Sequence, residues 1–253
     1  KMVMGWLFLA DGSCPDELAH CYGEAMNWKA RTEEGSEGGL KYKQLFFPAL
    51  AGMLLAEHQK HFPSEETLNE MTRLVEYFAG KQERTGGWFK CFEGAYNEFK
   101  GYSAKDLGML DGMIFGFLWS AKQHGVKVPD DMMQKAEKCI QGILSGGGLS
   151  YGTGRGGGDP TGARGGFAML VLAFAGQTQH KLWKAYLPLF DRVIPNMNKG
   201  THVGAFHALG LTLGCRMAGQ VTYSKLTKKW LDAAIDKQDA EGGYYVGDDE
   251  GSG

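Results

Sequence analysis

Two kinds of helical pattern alternate along this chain, and the alternation restricts the fold more than any other feature. The stretches 45–56, 107–121, 167–175 and 203–215 are apolar nearly all round, which outside a membrane means a helix covered on every side. Between them lie helices with one apolar stripe at three-to-four spacing and charges elsewhere. Leu68, Met71, Leu74, Val75 and Phe78 make one such stripe; Met133, Ala136, Cys139, Ile140 and Ile143 a second; Leu226, Trp230, Leu231 and Ala234 a third. Two layers accommodate both kinds, with fully covered helices inside and half-covered helices outside. The expected fold is all-α: an α/α toroid, with inner helices at 2–10, 43–60, 105–124, 164–178 and 202–218. Outer helices are expected at 15–30, 65–84, 130–144, 181–195 and 223–238, giving about five hairpins. An open superhelix of helical pairs satisfies the same pattern. Residues 1–253 are expected to form one domain, and the apolar opening of the chain suggests a piece of a longer protein.

A repeat supports the hairpins. Among the glycine doublets followed by an apolar residue, those beginning at positions 38, 86, 147 and 242 lie at intervals of 48, 61 and 95. The second interval is one period of about 48 with an insertion, and the third is two periods with one doublet lost. Two doublets sit in a longer pattern, Phe78-x3-Gln82-x3-Gly86-Gly87-Trp88 and Ala234-x3-Gln238-x3-Gly242-Gly243-Tyr244. Physically, the glutamine closes an outer helix and can bond stray backbone groups, the glycines take the left-handed turn, and the aromatic ring packs across to the next helix.

This pattern resembles the Gln-Trp repeat of squalene and oxidosqualene cyclases, and more broadly the toroids of the terpenoid cyclase and protein prenyltransferase superfamily. The step from Gly148-Leu149-Ser150-Tyr151-Gly152 through a loop to Phe167-Ala168-Met169-Leu170 is similar to repeats of prenyltransferase β-subunits. The resemblance implies a toroid in which this motif is structural. The catalytic signatures of those enzymes are missing: there is no D-x-D-D acid, Asp130-Asp131-Met132-Met133-Gln134 is not an aspartate-rich metal motif, and no D-x-C is followed by a zinc-binding histidine. The relatives close a ring with six hairpins, so either this ring has five, or a missing segment or a neighbouring domain supplies the sixth.

Composition narrows the partners. A net charge of −2 offers no field for nucleic acid or an anionic membrane. The longest apolar runs, 113–120 and 167–176, are about half of what a transmembrane helix needs. Five cysteines without a C-x-x-C pair indicate neither a disulfide framework nor a thiolate zinc site, and Cys139 and Cys215 read as core. No cofactor is implied, and nothing fixes the compartment.

Candidate site residues gather where the long connections meet the starts of the inner helices, whose exposed N–H groups favour anions. One loop, 148–166, holds Tyr151, Arg155, Asp159 and Arg164 among many glycines; two arginines beside a helix start suit a diphosphate or a sugar carboxylate. Its Gly152-Thr153-Gly154-Arg155-Gly156-Gly157 run matches G-x-G-x-x-G in form only, since no strand precedes it. The other long loop carries Trp88, Phe89, Phe92, Tyr96, Phe99 and Tyr102, either a stacking wall or a lid. Asp111 is a lone carboxylate on an apolar helix, either a general acid or base or a satisfied structural group. His202, at a helix start, is the second acid/base candidate, while His207 reads as core. Glu57, His58 and His61 close a helix and read as meeting its negative end rather than holding a metal.

The expected function is therefore a terpenoid-cyclase-like or prenyltransferase-like toroid that binds a small hydrophobic or anionic ligand. A lyase or hydrolase of acidic glycans is a second reading, with Asp106 joining Asp111, His202, Tyr151 and the arginines. A non-catalytic scaffold for another protein is a third.

Overall fold

The computed structural model describes residues 14–33, 43–88, 108–143 and 218–235, together with residues 9, 172, 179, 181, 183, 184, 215 and 216. Among the described residues all regular structure is helical. The helices are α1 (Pro15–Met26), α2 (Trp28–Glu33), α3 (Lys43–His61), α4 (Glu65–Ala79), α5 (Gly108–Gln123), α6 (Asp130–Ile143) and α7 (Gln220–Ile235). The chain divides into two compact units, one comprising 1–145 with 150–156, the other 146–149 with 157–253. Helices α1 to α6 belong to the first unit and α7 to the second.

In the first unit the two patterns of apolar residues become two kinds of environment. Helix α3 is flanked by α1, α2, α4 and α5, and its residues 51–56 are all buried. Helix α5 packs on α3 and α6 and touches α4, and residues 110–118 are buried without a break. By contrast α4 buries only Thr67, Glu70, Met71, Leu74, Val75 and Phe78; four of these belong to the stripe read from the sequence, whose fifth member, Leu68, is half-buried, while Thr67 and Glu70 join the buried face. Helix α6 does the same with Met132, Met133, Ala136, Cys139 and Ile140. Cys215, in the second unit, is also buried.

Short turns make the hairpins. Between α3 and α4, Ser64 caps α4: its hydroxyl accepts the Thr67 N–H at 3.1 Å, and its own N–H donates to Gln59 Oε1 at 3.0 Å. Between α5 and α6, Gly125 takes φ 84°, and the Val126 and Gly125 N–H groups donate to the Ala121 and Lys122 carbonyls. That pair of bonds is a Schellman stop, which requires the left-handed residue.

The proline inside α3 is accommodated by the neighbouring helix. Pro48 has no N–H to give the Gln44 carbonyl four residues back, and the Tyr77 hydroxyl of α4 donates to that carbonyl at 2.6 Å. Since Tyr77 stands near the end of α4, the start of α3 lies beside that end. Trp88 bonds both Phe78 at the end of α4 and Asp111 at the start of α5, so α3 and α5 run in the same direction. They approach closely: a Cβ on Gly52 would stand 2.7 Å from two ring carbons of Phe117, so only glycine lets this ring lie on the α3 backbone.

Several boundaries differ from expectation. The helix expected over 15–30 is two helices, broken at Asn27, so that Trp28 turns inward and is buried. Helix α4 ends at Ala79 rather than at 84, because residues 80–88 are needed for a tight corner. Helix α7 begins at Gln220 rather than 223, directly after Gly219 at φ 115°. Among the described residues no helix is long and apolar enough to cross a membrane.

Candidate functional site

The corner after α4 brings together two of the residues singled out from the sequence, Trp88 and Asp111. It begins with the Phe78 carbonyl, left without an intrahelical partner at the helix end. That carbonyl accepts two bonds, from the Lys81 N–H at 3.1 Å and from the Trp88 indole N–H at 2.9 Å. The chain then doubles back on itself: the Gly86 N–H donates to the Glu83 carbonyl, and the Glu83 N–H to the Gly87 carbonyl, each at 2.9 Å. Gly86 takes φ 93°.

Gln82 lies past the end of α4 and works from within the turn. Its side-chain amide donates to the Gly86 carbonyl at 3.0 Å and to the Met132 carbonyl at 2.9 Å. The second bond reaches the first turn of α6. Gly86 meets the same helix, because a Cβ there would stand 2.6 Å from the Lys135 carbonyl carbon and closer still to its oxygen. The Trp88 main-chain N–H donates to Asp111 Oδ1, in the first turn of α5, at 2.9 Å. One short corner thus ties the end of α4 to the starts of α5 and α6.

Both members of the Trp88–Asp111 pair are fully buried. The indole meets Phe78 edge-on, with ring centroids 6.3 Å apart and planes at 76°, and Phe78 in turn packs on Phe117 at 5.9 Å. Chemically, Trp88 gives its two N–H groups to Phe78 and Asp111, and the Asp111 carboxylate fixes the backbone from which the aromatic loop departs. His202, Tyr151, Arg155, Asp159, Arg164 and Tyr102 lie outside the described residues, as do Asp106, His207 and the aromatic residues 89–102.

A second feature, not anticipated, is a shallow polar groove of about 440 Å³ between α1 and α4, lined by Gly23, Met26, Asn27, Glu66, Asn69, Glu70 and Arg73. At its floor the Glu70 carboxylate, 7% exposed, accepts the Trp28 indole N–H at 2.6 Å and the Arg73 guanidinium at 2.8 Å. The signal for it is a glutamate placed inside the buried stripe of α4, one residue before Met71.

Charges elsewhere are local. The Lys135 ammonium, bonded to Asp131 at 2.9 Å, holds that carboxyl below the usual aspartate range. Burial, and then the neighbouring His61, push the His58 imidazole below the usual histidine range. Among the described residues no group of three or more His, Cys, Asp or Glu is placed to hold a metal ion.

Fold and corner together define a class: among the described residues the chain is all-helical, with αα-hairpins in its first unit and a glycine-aromatic corner that ties α4 to α5 and α6. No protein family matches the chain, and neither does any curated protein or solved structure.

Proposed function

We propose that the chain is a ligand-binding α/α toroid of the terpenoid cyclase and protein prenyltransferase kind. Its site would lie at the end where the long loops meet the starts of the inner helices. The observation that carries this reading is the 80–88 corner. Gln82 bonds the Gly86 and Met132 carbonyls, Gly86 takes the left-handed turn, and the Trp88 main-chain N–H reaches Asp111 at the start of α5, a backbone role of the kind such a repeat would need. The layering of α3 and α5 behind α1, α4 and α6 agrees with it.

Within this reading Asp111 is a positioning group: its carboxylate holds the Trp88 backbone at the point where the loop begins. Arg155 and Arg164 supply the positive charge for an anionic head, and the aromatic residues 89–102 the apolar wall. The ligand class is a prenyl diphosphate, which combines both chemistries.

Isothermal titration of the full chain with farnesyl diphosphate tests the proposal, with a polygalacturonate oligomer as the competing class. Saturable binding of the diphosphate, weakened at least tenfold in Arg155→Ala/Arg164→Ala, supports it. Binding of the acidic glycan alone favours the glycan-active reading, and failure of both ligands refutes a small-ligand site.

A further inference from the structure

We infer that His58 is a pH-sensitive latch that holds α1 on the α3–α4 hairpin near neutrality and releases it in acid. The geometry starts with Tyr22 of α1, which straddles the hairpin. Its ring stacks on His58 of α3, with centroids 4.1 Å apart and planes at 24°, and its hydroxyl is bonded to Thr67 Oγ1 of α4 at 2.8 Å. On the hairpin side the imidazole meets Phe62, 5.0 Å away. The histidine ring is therefore a spacer through which α1 grips the turn.

That spacer fits the neutral ring and not the charged one. His58 Nδ1 is buried with no hydrogen-bond partner. A neutral imidazole can leave a bare lone pair there by carrying its proton on Nε2; the imidazolium must place an N–H on both nitrogens. A buried donor without an acceptor is costly.

Beyond the negative end of α3, which His58 shares with Lys60 and His61, the charged ring finds no compensating side chain among the described residues. On α3, the Glu57 carboxylate is taken by Lys60 at 2.5 Å and faces His61 at 3.7 Å. His61 itself adds like charge, and with burial it displaces the His58 titration downward. On α1 the residue touching the ring is a phenol, and Asp16, Glu17 and His20 are exposed. On α4 the Thr67 hydroxyl is already shared with Tyr22 and Ser64, while Glu65 and Glu66 are exposed.

The sign follows from linkage. Docked α1 buries the ring and makes it harder to protonate; opening α1 removes that burial while His61 stays on the same helix, so the open form binds a proton more readily, closer to the ordinary histidine value of about 6.5. Above that range both forms are neutral and the docking is undisturbed. As the pH falls through it the open form gains the proton first, and the equilibrium shifts towards release. This differs from the ligand site proposed above and does not rest on it.

Hydrogen exchange of the full chain, corrected for intrinsic rates and compared between pH 7.5 and 5.5, reads the latch directly. The expected result is a loss of protection in 15–26 that exceeds any loss in 110–121, and that is absent in His58→Phe, which keeps an aromatic spacer but cannot protonate. An equal loss in that variant overturns the inference. Proton NMR of the wild-type imidazole provides the second measurement should the variant not fold: a His58 midpoint below about 6.5 is expected, and one at or above it overturns the latch.

Discussion

Two glycines with nearly the same backbone angle and very different surroundings allow the corner to be weighed. Gly86 at φ 93° and Gly125 at φ 84° both occupy the left-handed region, where a Cβ costs on the order of 1 kcal/mol. Around Gly125 a Cβ would meet nothing within 4 Å. At Gly86 it would run into the Lys135 carbonyl, a backbone group inside α6 that can yield only if the helix shifts. Overpacking of that kind adds about 1–3 kcal/mol. A shift of α6 also pulls Met132 away from Gln82, loosening a bond worth about 1 kcal/mol. Gly125→Ala should therefore cost about 1 kcal/mol, and Gly86→Ala about 3–5 kcal/mol. With a urea dependence of about 2 kcal/mol per molar, the midpoint should fall by about 0.5 M in the first variant and by about 1.5–2.5 M in the second. Equilibrium urea unfolding followed by tryptophan fluorescence measures both. Midpoints within about 0.3 M of one another, on the same urea slope, would show that the contact between corner and α6 carries no energy and would refute the account of the corner as a three-helix tie.

Other consequences follow from the same contacts. Gly52→Ala pushes a methyl group into the Phe117 ring and should destabilise by about 1–3 kcal/mol, and adding Phe117→Leu should recover part of that loss, as a double-mutant cycle in urea would reveal. Asp111→Asn keeps an acceptor for the Trp88 N–H and should be mild, whereas Asp111→Leu strands a buried donor at about 1–3 kcal/mol; equal losses would mean that charge, not hydrogen bonding, matters there. Ser64→Ala removes the cap of α4 and should lower stability by about 1 kcal/mol, measured as a drop in thermal midpoint.

Much of the first unit was legible in the sequence, and the reason is periodicity. Residues 51–56 and 110–118 are buried without a gap because their patterns have no polar face, and α4 and α6 are half-buried because theirs do. The corner was legible because its three chemical tasks call for glutamine, glycine and an aromatic ring at fixed spacing. What escaped is contact between positions distant in sequence. Gly52 looked like any helical glycine until Phe117 was seen against it. Glu70 is one of several acids on α4 until Trp28 is brought to it by the break at Asn27. Of the candidate site, Trp88 and Asp111 are joined by the structure; Tyr102, Tyr151, Arg155, Asp159, Arg164 and His202 remain the sequence's proposal.

The proline of α3 has a bearing on how the chain acquires its shape. An isolated segment 43–61 would carry an unanswered carbonyl at Gln44 in its first turn, and it is a residue from the following helix, Tyr77, that answers it. The second arm of the hairpin therefore completes the first. The two should appear together during folding, as one cooperative step, and hydrogen exchange should find residues 43–61 and 65–79 opening as a single unit.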